Sequence, residues 1–66
     1  MITLKQVREG SIVMVRGGFG IEPATRAKVT RVERDIKNGF PGIDYKTMDG
    51  KCFWAYIDQV ERVVTY

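Results

Sequence analysis

Apolar and polar residues alternate with a period of two along most of this chain, and no segment sustains the 3.6-residue period of a helix. Ser11-Ile12-Val13-Met14-Val15-Arg16 is dense in β-branched residues and predicts a first strand, with Val13 and Val15 on one face and Ile12 and Met14 on the other. Arg26 to Arg34 predicts a second, in which Ala27 and Val29 alternate against Arg26, Lys28 and Thr30. Val32 falls out of that register by one residue, which a bulge near Thr30-Arg31 restores. Ile43 to Met48 predicts a third strand, with Ile43, Tyr45 and Thr47 sharing a face. Lys51 to Tyr56 predicts a fourth, with Cys52, Trp54 and Tyr56 opposite Phe53 and Ala55, and Glu61 to Thr65 a short fifth.

The connections carry their own chemistry. Thr3 is placed to cap one turn around Leu4–Val7, which Gly10 ends. Gly17-Gly18-Phe19-Gly20 closes the first strand and opens a loop that runs through Pro23 to about Thr25. Asn38-Gly39 and Pro41-Gly42 make Asp35 to Gly42 a turn region. Asp49-Gly50 predicts a two-residue type I′ hairpin, whose central residues both need positive φ. Ile57-Asp58-Gln59-Val60 is too short for an α-helix and suits one 3-10 turn.

At 66 residues the chain accommodates a single domain, 1–66, with one continuous core. Its composition, 44% hydrophobic and 29% charged, is that of a globular protein and not of a disordered one. One cysteine allows no internal disulfide, and the absence of histidine removes His-containing zinc sites and imidazole acid–base chemistry. The opening Met-Ile-Thr-Leu-Lys-Gln lacks the apolar run of a signal peptide, and no stretch reaches the length of a membrane span. A cytoplasmic protein without membrane partners is the expectation. No cofactor and no metal are expected, and monomer and homodimer both stay open.

Five short strands, a long first loop, a tight hairpin between strands three and four and a single turn before strand five predict an all-β, five-stranded small barrel. The pattern resembles the SH3-like small β-barrels, Tudor-like domains among them. It is carried by Gly10-Ser11-Ile12-Val13, Ala27-Lys28-Val29, Tyr45, Asp49-Gly50-Lys51, Trp54 and Ile57 to Val63, over most of residues 10–65. Ala55 to Val63 also resembles the closing segment of the plasmid-encoded, trimethoprim-resistant dihydrofolate reductases, down to the Glu61-Arg62 step. Their pore is lined by a Val-Gln-Ile-Tyr stretch, where this chain has Lys51-Cys52-Phe53-Trp54. The activity therefore does not carry over; an oligomeric barrel of that kind is a remote alternative, and no catalytic residue is assigned.

Other enzyme readings find little support. The eight acids are scattered, Cys52 has no histidine to activate it and reads as a packed or half-buried thiol, and Gly17–Gly20 lacks the Gly-Lys-Ser/Thr ending of a phosphate loop. A binding module fits better, and a small one of this kind also suits a phage or mobile-element accessory role. The net charge is +3, and Arg26, Lys28, Arg31, Arg34 and Lys37 crowd one segment as a basic ridge able to neutralise nucleic-acid phosphates. Phe19 and Phe40, set among glycines, are candidates for stacking on bases. The bland alternative is a solvated strand face that discourages aggregation. The second binding reading is a protein or peptide partner. SH3-like and Tudor-like barrels bind through aromatics between the first long loop and strands three and four, which the resemblance places at Phe19, Tyr45, Trp54 and Tyr56.

Overall fold

A computed structural model describes residues 2–66. Five antiparallel strands form one sheet: β1 (Ile12–Arg16), β2 (Ala24–Lys37), β3 (Phe40–Thr47), β4 (Cys52–Tyr56) and β5 (Val60–Thr65), in the order β4-β3-β2-β1-β5. No α-helix occurs among the described residues. β4 and β5 lie at opposite ends of this order, yet only the 3-10 turn Ile57–Gln59 separates them in the chain. Three residues cannot cross a flat five-stranded sheet some 19 Å wide, so the sheet rolls until its edges approach. The Cα extents of 29 × 24 × 21 Å fit a rolled sheet and not a single flat layer.

The alternation read from the sequence sets the inner face. Val13, Val15, Ala27, Val29, Ile43, Tyr45, Ala55 and Val60 are buried, joined by Val7 from the lead-in segment. Val32 packs against this core because Thr30 is the extra residue of a bulge: Val29 pairs with Tyr45 and Arg31 with the adjacent Asp44. The expected bulge is therefore where the period slips. Thr3 precedes a 3-10 turn, Leu4–Gln6, and its backbone N–H donates to Gln6 Oε1 at 2.8 Å.

The buried polar side chains Ser11 and Gln59 are both hydrogen-bonded. The Ser11 hydroxyl donates to the Tyr66 carbonyl at 2.8 Å and accepts from the Arg8 backbone N–H at 2.9 Å. Gln59, also buried, donates through Nε2 to the Arg16 carbonyl at 2.8 Å and accepts from the Tyr56 N–H at 2.9 Å. One side chain thus ties the end of β1 to the exit of β4.

Two connections differ from expectation. The type I′ geometry belongs to Asn38-Gly39, with φ of 56° and 78°, and not to Asp49-Gly50. In the β3–β4 hairpin only Gly50 has positive φ, 87°; Gly50 N–H donates to the Thr47 carbonyl and Thr47 N–H to the Lys51 carbonyl, giving a three-residue loop. Pro41-Gly42 is no turn either, because β3 begins at Phe40. Pro41 falls in the register gap between the Lys37–Phe40 and Glu33–Gly42 pairs, where its missing N–H breaks no ladder bond.

Candidate binding surfaces

On β4 the period of two sends Ala55 inward and leaves Trp54 and Tyr56 half-buried on the outer face. Their rings meet edge to face, with centroids 5.2 Å apart. Phe40, the first residue after the Asn38-Gly39 turn, stands edge-on to Tyr56 at 5.8 Å. Phe19, at the tip of the β1–β2 loop, reaches Trp54 at 5.9 Å and Tyr56 at 6.3 Å. The two phenylalanines remain exposed, Phe19 by 73% and Phe40 by 59%. Lys37 places its ammonium 5.4 Å from the Trp54 ring centre.

These rings wall two grooves. One, of about 280 Å³, is lined by Phe40, Pro41, Tyr56, Ile57 and Asp58. The other, of about 260 Å³, is lined by Gly18, Phe19, Cys52, Phe53, Trp54 and Gln59. Tyr56 lines the first and Trp54 the second, and the two rings are in contact. Phe19 holds its position in a left-handed backbone conformation, φ 59° and ψ 33°, which costs a side chain with a Cβ about 1–2 kcal/mol. That cost is met where the ring is most exposed.

Tyr45 does not join the cluster. It alternates with Ile43 on the inner face, is only 4% exposed, and touches Phe53 and not the other three rings expected beside it. Burial pushes its phenol pKa up, and the Glu22 carboxylate adds to the shift. Cys52 is exposed, and so is not the packed thiol expected: it is the first residue of β4, an edge strand, and sits on the outer face.

The five basic residues expected to form one ridge separate into groups. Arg26 and Lys28 are exposed on the outer face of β2. Arg31 lies beyond the bulge, forms an ion pair with Glu33 and faces Asp44 across the ladder. Arg34 falls in the second register shift of β2, between Glu33 and Lys37, and Lys37 belongs with the aromatic rings. Cross-strand partners supply cations that a linear reading missed. Lys46 is directly opposite Lys28, and Met14 is opposite both Arg26 on one side and Arg62 on the other. Only the ladder registers, bulges included, reveal these neighbours.

Among the described residues no group of three or more His, Cys, Asp or Glu side chains stands close enough to hold a metal ion. Nor, among the described residues, is any helix long and apolar enough to cross a membrane. Comparison with protein-family models, with curated proteins and with solved structures gave no match to the chain.

Proposed function

We propose that this chain is a non-enzymatic protein-interaction module of the SH3-like kind, whose aromatic cluster takes an extended, proline-containing peptide. The observation that carries the reading is the series Phe40, Tyr56, Trp54 and Phe19, whose members flank two adjoining grooves. Three of their four contacts are edge-on or nearly so, which leaves ridges and clefts and not the flat faces on which successive bases stack. A polyproline II segment repeats its face every three residues, about 9 Å, and so offers successive side chains to the clefts between these rings. Asp58, at the Phe40 groove, favours a cationic residue on the peptide. The single cysteine, exposed and unpaired, suits a reducing compartment such as the cytoplasm.

The test is a titration of Trp54 fluorescence with proline-rich peptides carrying one flanking arginine. Saturable binding that changes little between 50 and 500 mM salt, and that Phe19→Ala and Phe40→Ala each weaken at least tenfold, is the expected result. A spectrum unmoved at millimolar peptide, or binding indifferent to both substitutions, overturns the reading.

A further inference from the structure

We infer that the outer face of β5, β1, β2 and β3 is a second binding surface, built for the phosphate backbone of double-stranded nucleic acid. Residues directly opposite one another in an antiparallel pair point to the same side of the sheet. One cross-strand row therefore reads Arg62, Met14, Arg26, and the next reads Thr65, Ile12, Lys28, Lys46. The four cations are exposed and Ile12 and Met14 between them are half-buried, so the charged heads flank a low apolar floor.

The charge on this face is uncompensated. None of Arg26, Lys28, Lys46 and Arg62 is in an ion pair among the described residues. The acids around it are engaged: Glu61 pairs with Arg16, Glu33 with Arg31 and Asp49 with Lys51. Asp44 borders the patch beyond Lys46, where it faces Arg31 across the ladder. Like charges directly opposite across a ladder, as in Lys28 and Lys46, are destabilising in isolation, and an anion laid over them removes the repulsion.

Geometry points to a duplex. Arg26 and Lys28 are about 7 Å apart along β2, while β5 to β3 spans three strand intervals, roughly 14 Å. A patch of that width reaches phosphates on both sides of a minor groove about 6 Å wide. No aromatic residue stands in either row, which Cys52 on β4 continues past Lys46, so the cations themselves contact phosphate and carry no base readout. The aromatic cluster begins beyond the β3 edge of the patch, where Trp54 stands opposite Asp44 on β4, and the two surfaces take different ligands.

The experiment is fluorescence anisotropy of a labelled 20-base-pair DNA duplex with the full chain, at salt from 50 to 200 mM. Four phosphate contacts give a log–log slope near −3.6, an affinity loss of about 10²-fold over that range. Lys46→Gln and Arg62→Gln should each lower the slope by about one, and Arg62→Lys should restore it, since a phosphate contact needs only the charge. Phe19→Ala should leave duplex binding unchanged, which separates this surface from the peptide groove. The inference is overturned if the chain fails to bind duplex at 50 mM salt, if Lys46→Gln and Arg62→Gln leave the slope as it was, or if a single strand of equal length binds more tightly.

Discussion

The Lys37 ammonium stands 5.4 Å from the centre of the Trp54 ring, so a cation from the same chain already covers part of the aromatic cluster. An exposed contact of this kind is worth about 0.5–1 kcal/mol. A peptide that lays a proline against Trp54 has to displace Lys37 first. Lys37→Met should therefore tighten binding of an arginine-bearing proline-rich peptide by up to about fivefold, with thermal stability almost unchanged. Isothermal titration of both forms checks this; weaker binding by the variant would make Lys37 a ligand contact and not a competitor.

Gly42 has no room for a side chain. A Cβ there would lie 2.5 Å from Ile36 Cγ2 and closer still to the Ala55 carbonyl oxygen. Gly42→Ala should cost about 1–3 kcal/mol, the usual range for overpacking, read as a lower urea midpoint. Adding Ile36→Ala should recover only part of the loss, because the Ala55 oxygen belongs to the backbone of β4 and stays in place.

Phe19 offers a test of backbone strain against ring contacts. Phe19→Ala and Phe19→Gly both remove the ring, but only glycine adopts φ near 59° without penalty. The glycine variant should be more stable than the alanine variant by about 1 kcal/mol in chemical denaturation. Both should lose peptide affinity alike. Equal stability of the two would show that the loop relaxes once the ring is gone.

Tyr45 predicts an alkaline limb in the stability profile. Burial, with Glu22 adding, raises its pKa in the folded state above the unfolded value, so the native protein keeps the proton longer. Its contribution is fully present below the unfolded pKa of about 10 and is lost as pH climbs from there through the folded pKa. Urea midpoints from pH 8 to 11 should fall more steeply for the parent than for Tyr45→Phe. Parallel curves would remove Tyr45 as the source.

Strand faces were legible in the sequence because a period of two reports directly which side each residue takes. Val13, Val15, Ala27, Val29 and Ile43 are inside for that reason, and the slip at Val32 located the bulge. Turn geometry was less so. Asn38-Gly39 and Asp49-Gly50 carry the same local chemistry, and the cross-strand register decides which closes a two-residue loop and which a three-residue one. The exposed positions of Phe19 and Phe40 followed from their glycine neighbours, but their meeting with Trp54 and Tyr56 depends on where the first loop folds back. The family resemblance places Tyr45 in the groove, whereas its alternation with Ile43 points inward, where it is buried. Lys46 and Arg62 had no local signal, since each acquires its neighbours from a different strand.

The strand order also sets the two surfaces apart by the length of chain that their pairings must close. β2, β3 and β4 are successive hairpin partners, whereas β1 and β5 pair across a separation of roughly fifty residues. Local pairings close small loops and are entropically cheap; the β1–β5 ladder must wait for the longest loop to close. The walls formed by Trp54, Tyr56 and Phe40 thus rest on the early meander. The row that ends in Arg62 is completed only when the last strand docks and Ser11 engages the Tyr66 carbonyl. Fraying of β5 would take Arg62 out of that row and leave Arg26, Lys28 and Lys46 in place on β2 and β3.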